Sequence, residues 1–164
     1  MIGSESVRVG TNPHTWLAIA LAAVLTFGAT TGASAQTVVV DGDTIRIGTT
    51  AYRLWGIDAP EQQQSCAGWP AGGEATRTLA ALMRDKAVSC EPRTQDRYGR
   101  TVAVCRADGM DLGAAMVSAG MAWAFVRYSR DYVSGEDSAR AAGLGVHGHA
   151  CMPAWEWRAA QRSR

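Results

Sequence analysis

The chain has 164 residues, 47% hydrophobic and 19% charged, a globular balance that excludes a disordered or collagen-like polymer. Sixteen Lys and Arg against fifteen Asp and Glu leave a formal charge of +1, so neither a broad basic field for nucleic acid nor an acidic tail is present. Lys86 is the only lysine; the other cations are arginines, whose planar forks suit carboxylates and phosphates.

At the start, Arg8 and His14 precede an apolar run from Trp16 to Phe27, and small residues follow to Ala33-Ser34-Ala35. These are the three regions of a secretory signal peptide, with cleavage predicted before Gln36. The apolar run is short for a bilayer span, so no membrane attachment is expected after cleavage. Residues 36–164 then form a single domain, secreted or periplasmic. Its four cysteines, Cys66, Cys90, Cys105 and Cys151, are an even count in an exported chain and predict disulfides. No C-x-x-C spacing supports a zinc ribbon or a redox site.

Thr37–Val40 and Thr44–Ile47 read as strands around a tight turn at Asp41-Gly42-Asp43. Tyr52–Ile57 is a third strand, Ala87–Glu91 a fourth and Thr101–Ala107 a fifth. Between the third and fourth, Ala75, Leu79, Leu82 and Met83 repeat at helical spacing from Glu74 to Arg84. A second helix follows from Leu112 to the stop at Gly120, and a third from Asp131 to Ala142. Strand-strand-strand-helix-strand-strand followed by two helices predicts an α+β, mainly β, five-stranded OB-fold barrel. Cys90 and Cys105 lie in strands joined by the short Asp96–Arg100 connection, which predicts Cys90–Cys105 and, by remainder, Cys66–Cys151.

Singly, the polar residues along this frame have plain explanations. Asp-Gly-Asp is a turn, Arg53 a partner for a carboxylate, and Asp58-Ala59-Pro60-Glu61 a loop before a helix. Together they point to chemistry. Asp43 and Asp58, at the ends of neighbouring strands, converge on a hard cation. Arg53 and Arg100 offer two forks to charge developing on phosphorus, and Glu61 orients or deprotonates a water. These are the parts of a metal-assisted phosphodiesterase. The alternative class is a non-catalytic OB module that binds single-stranded nucleic acid or oligosaccharide. Pure binding needs no glutamate facing anionic phosphate, and a tight binder gains from a charge far above +1.

Val40-Asp41-Gly42-Asp43-Thr44, Arg53-Leu54, Ile57-Asp58-Ala59-Pro60-Glu61 and Asp96-Arg97-Tyr98-Gly99-Arg100 resemble the thermonuclease, or staphylococcal nuclease-like, family. The similarity runs from Val38 to Trp157. It implies an OB-fold and calcium-dependent endonuclease hydrolysis of DNA and RNA to leave 3′-phosphates, by what is expected to be a monomer. By the same resemblance Asp43 and Asp58 are calcium carboxylates, and Ala59 stands in for a threonine that ligates through its carbonyl. Arg53 and Arg100 match catalytic arginines, Glu61 the catalytic glutamate, and Tyr98 a tyrosine at the nucleotide phosphate. Arg97 replaces a lysine, and of two tyrosines over the nucleotide only Tyr128 is present. Outside these motifs, His147 and His149 read as a glycine-rich loop, and Trp155 and Trp157, ahead of Arg158, as a terminal cover for the core.

Overall fold

The computed structural model describes residues 36–163; the signal peptide read at residues 1–35 lies outside the described residues. In chain order the strands are Thr37–Asp41 (β1), Thr44–Ile47 (β2), Thr50–Leu54 (β3) and Ile57–Asp58 (β4), followed by the helix Ala71–Met83 (α1). Then come Val88–Gln95 (β5), Thr101–Ala107 (β6), Met110–Asp111 (β7) and the helix Leu112–Ser118 (α2). Trp123–Ala124 (β8), Val133–Ala141 (α3) and Ala154–Arg162 (α4) complete the order.

The main sheet runs β1-β2-β3-β6-β5, with β7 added to β6. Among the described residues its only parallel pair is β3 with β6, where Arg53 lies opposite Val102; the rest pair antiparallel. Three strands, a crossover through α1, and a fourth long strand at the far edge give the OB-fold order. No β1–β5 pairing closes the seam among the described residues.

The core under this sheet is built from Ile45, Leu54, Ile57, Leu79, Leu112, Met116 and their neighbours. α1 turns Ala71, Gly72, Ala75, Leu79 and Met83 into it. A second, smaller cluster joins Trp123, Val146 and Ala154, with Trp69, Cys151 and Trp155 packed against it. Disulfides link Cys90 to Cys105, which face each other across β5 and β6, and Cys66 to Cys151.

Four details depart from the sequence reading. The third strand does not run from 52 to 57: it stops at Leu54, Gly56 adopts φ +69°, and Ile57–Asp58 pairs with β8 instead. That left-handed residue, which glycine tolerates without a Cβ clash, turns Asp58 away from the main sheet. Helix α1 starts three residues early, because Gly72 and Gly73 occupy its first turn and carry no apolar side chain to announce it. Strand β5 continues past Pro92 to Gln95; as an edge strand with a register shift between Pro92 and Thr94, it tolerates the missing donor. Finally, three helices rather than two follow the last long strand. α4 buries only Ala154, so it lacks the apolar stripe that would have marked it.

Candidate active site

The Asp41-Gly42-Asp43 turn meets α1 and the Asp58-Ala59 segment through small residues. A Cβ on Gly42 would lie 2.7 Å from that of Ala75 and 2.8 Å from that of Ala59. This closeness lets the Ala59 backbone N–H donate to Asp43 Oδ2 at 3.2 Å. Asp43 Oδ1 accepts from Thr44 Oγ1 at 3.0 Å and from Arg53 Nη1 at 2.9 Å. The other fork nitrogen of Arg53, Nη2, donates to Asp58 Oδ1 at 2.5 Å. One guanidinium therefore spans both aspartates through two separate nitrogens, a fork that a single lysine nitrogen does not reproduce.

Asp58 is wholly buried. It also accepts from Arg158 on α4, through Nη1 to Oδ1 at 3.2 Å and Nη2 to Oδ2 at 2.8 Å. Arg158 Nη1 continues to Glu61 Oε1 at 2.6 Å. Asp43, Arg53, Asp58, Arg158 and Glu61 thus form one alternating chain of charges. Burial pulls the Arg53 guanidinium down, but the Asp43 and Asp58 carboxylates outweigh it and hold Arg53 above the usual arginine value. Burial also pushes the Asp58 carboxyl up, and the hydrogen bonds from Arg158 offset only part of that push. The Asp41 carboxyl is pushed up to about 6, first by burial and then by the charge of Asp43.

Glu61 is fixed from its backbone. Its N–H donates to Gln64 Oε1 at 3.2 Å, and buried Gln64 donates from Nε2 to the Met152 carbonyl at 2.7 Å. Across the loop, Gly72 of α1 sits so close that a Cβ there would be 2.0 Å from the Glu61 carbonyl oxygen. Arg100 is set by the turn before β6. Asp96 Oδ1 accepts from the backbone N–H groups of Tyr98 and Arg100, and Oδ2 takes Arg100 Nε at 2.7 Å. Those bonds outweigh the partial burial that would raise the Asp96 carboxyl, and hold it below the usual range. Arg100 Nη1 also reaches Thr44 Oγ1 at 3.4 Å, joining this turn to Asp43.

All of this opens onto one cleft of about 850 Å³. Asp43, Arg53, Ala59, Glu61, Arg97, Tyr98, Arg100 and Tyr128, the residues singled out in the sequence, line it, while Asp58 lies beneath its floor. Tyr98 is 69% exposed at the rim, with the Arg97 guanidinium 4.9 Å and the Arg100 guanidinium 5.7 Å from its ring centre. Tyr128 packs on Phe125 and Trp55 and stays half exposed.

Asp41, Gln64, Arg127, Arg158 and Arg162 were not singled out for the site. Trp155, Arg158 and Arg162 on α4 all line the cleft, and their i, i+3, i+7 spacing was the available signal. Trp155 does cover the smaller core, edge-on to Trp123, but the Arg158 beside it belongs to the cleft. His149 stacks on Trp69 at 4.2 Å, and His147 is partly buried with Nε2 unpartnered. Among the described residues no three His, Cys, Asp or Glu side chains gather as a metal-ligand group.

Residues 51–147 match the model of the staphylococcal nuclease homologue family. The chain belongs to that family. The resemblance drawn from the four motifs therefore holds, and the OB-fold order agrees with it. A Haemophilus influenzae protein named an uncharacterised endonuclease is 36% identical over 115 residues, 66% of this chain and 62% of the relative. The chain thus spans less than two thirds of that protein's length. An uncharacterised endonuclease of Escherichia coli O157:H7 is 35% identical over 128 residues, covering 73% of this chain and 80% of its own. The micrococcal nuclease of Shigella flexneri is 32% identical over 143 residues, 76% of this chain and 79% of its own. In this staphylococcal nuclease homologue, the matched segment includes Arg53, Asp58, Glu61 and Arg100 but not Asp43 or α4.

Proposed function

We propose that residues 36–164 are an exported calcium-dependent nuclease that hydrolyses phosphodiester bonds of DNA, RNA or both to leave 3′-phosphates. The observation that carries this reading is the lining of one cleft by Arg53, Glu61 and Arg100 above the Asp43–Asp58 pair. The nuclease names of the relatives support it. Export is supported by the absence of free cysteines among the described residues, a state that oxidising compartments maintain. No helix among the described residues is long and apolar enough to cross a membrane.

The donor set suits a hard divalent cation. Asp43, Asp58 and the Ala59 carbonyl offer oxygen alone, the donor type that a hard cation prefers. Bound there, calcium would supply Lewis-acid stabilisation of charge on a phosphoryl oxygen. The chain's own residues do the rest. Arg53 Nη1 and Nη2 each retain one N–H after bonding the aspartates, and these, with the Arg100 fork, donate to the phosphoryl oxygens as charge builds there. The Glu61 carboxylate orients the attacking water and accepts its proton. Arg97 and Tyr98, exposed on the rim, hold the nucleotide's phosphate, and Tyr128 offers one aromatic face to a base.

The test is cleavage of single-stranded DNA, double-stranded DNA and RNA by purified residues 36–164 in calcium, magnesium or excess chelator, with the product ends identified. Activity is expected in calcium, little in magnesium, whose octahedral and hydration demands fit a sparse site poorly, and none with chelator. Binding without cleavage in any metal, undiminished cleavage in chelator, or 5′-phosphate ends would overturn it.

The close approach of α1 yields a further expectation. Gly72→Ala must displace the Glu61 carbonyl, and a shift on the order of 1 Å at a catalytic group costs about 100-fold in rate. Steady-state assays on this variant should show that loss with the disulfides intact; an unchanged rate would mean that the Glu61 loop absorbs the methyl group harmlessly.

A further inference from the structure

The α4 helix has no place in the mechanism above, yet it sends a guanidinium into the centre of the charge chain. Arg158 is the only side-chain partner of the Glu61 carboxylate among the described residues. Without it, a part-exposed glutamate has nothing to select one rotamer, and rotamer freedom at a reacting group is a direct cost to the rate. Arg158 also makes two of the three hydrogen bonds that reach buried Asp58. A carboxylate accepts about four bonds, so Asp58 keeps acceptor capacity on Oδ2 for a further ligand.

The delivery of Arg158 is built into the chain. The Cys66–Cys151 disulfide anchors the segment that leads into α4. Gln64 ties the same two segments side by side: it accepts from the Glu61 N–H and donates to the Met152 carbonyl. Trp155 then packs on Trp123 and Phe125, one turn before Arg158. The Cys66–Cys151 link and Gln64 therefore hold the Glu61 loop and the entry to α4 against each other.

We propose that Arg158 is a positioning residue of this active site that acts through Glu61, held in place there by its bonds to Asp58, and that α4 is the element that supplies it. The proposal rests on the nuclease reading and assigns a role outside the segment matched to the family. It predicts a loss in turnover rather than in substrate binding, because Arg158 touches the carboxylates and not the rim.

Turnover and KM of wild type, Arg158→Ala, Arg158→Lys, Glu61→Gln and Glu61→Gln/Arg158→Ala are measured on one DNA substrate at saturating calcium. Near-ultraviolet circular dichroism checks packing. Arg158→Ala should lose about 100-fold in kcat, with KM within about threefold, the scale expected when a positioned general base is released. Added guanidinium ion at millimolar concentration should restore part of the rate to Arg158→Ala. In the Glu61→Gln background the same substitution should cost less than about threefold, since residues that act as a unit are non-additive. If Arg158→Ala does not fold, Arg158→Lys serves alone, and its kcat should fall with KM unchanged because a single ammonium nitrogen does not also supply the Nη2 bond to Asp58 Oδ2 that holds the guanidinium against Glu61. A kcat within threefold of wild type for the folded variant, or a full additive loss in the Glu61→Gln background, would overturn the proposal. If Glu61→Gln itself cleaves at the wild-type rate, the assignment of Glu61 fails first, and with it the role given to Arg158.

Discussion

Arg53→Lys should lower the rate of DNA cleavage by about two to four decades. The reason lies in the fork. Arg53 bonds Asp43 and Asp58 at once, through Nη1 at 2.9 Å and Nη2 at 2.5 Å, and still holds N–H groups toward the cleft. A lysine ammonium keeps the charge but sits at one point, so it satisfies one aspartate and loses either the other or the phosphoryl oxygen. The side chain is largely buried between two carboxylates, so some stability is lost as well, on the order of 1–3 kcal/mol for a weakened buried bond to a charged group. That is too little to unfold a domain of ordinary stability. Arg100→Lys should lose rate for the same reason, through its Asp96 and Thr44 contacts, with less effect on stability because its side chain is more exposed. A fluorogenic oligonucleotide assay beside a urea titration separates the two effects. A near wild-type rate for Arg53→Lys would remove Arg53 from the reaction.

The largest stability loss is expected from severing Cys66–Cys151. Its cysteines are 85 residues apart, against 15 for Cys90–Cys105. On the chain-entropy account, which treats a disulfide as a restriction of the unfolded chain, these loops correspond to about 4.5 and about 3 kcal/mol. The longer link also holds the smaller core, where Cys151 packs on Trp123, Val146 and Ala154. Cys66→Ala/Cys151→Ala should therefore have a lower urea midpoint than Cys90→Ala/Cys105→Ala at the same pH, each fitted with its own m-value. The reverse order would show that local packing around the β5–β6 link outweighs the longer loop.

The site residues found in the sequence share one property: each lies in a short run whose neighbours restrict it. Asp43 follows a glycine turn between two strands, Asp58 and Glu61 flank Ala59-Pro60, and Arg100 closes a tight turn after Gly99. Such runs are local, so spacing along the chain already implies spacing in the fold. Arg158 has no such run. Its partners Asp58 and Glu61 lie 100 and 97 residues away, and no pattern within α4 names them.

The same division holds for the architecture. Strand-forming runs in β1, β2 and β6 and helical spacing in α1 and α2 were enough for the strand-helix order, and the even cysteine count for the disulfides; the family came from the resemblance of the Asp43, Arg53, Asp58–Glu61 and Asp96–Arg100 runs. The strand and helix signals arise because burial repeats every second residue in a strand and every third or fourth in a helix. Tertiary structure alone decided the rest. It breaks the third strand at Gly56 so that Asp58 turns under the cleft. It brings Gly72 against the Glu61 carbonyl and Gly42 between Ala59 and Ala75. It also docks a mostly polar α4 so that Arg158 completes the charge chain. Each of these is a contact between surfaces rather than a periodicity. Which guanidinium meets which carboxylate depends on how two segments pack, and a residue's own neighbours in the chain carry no record of that.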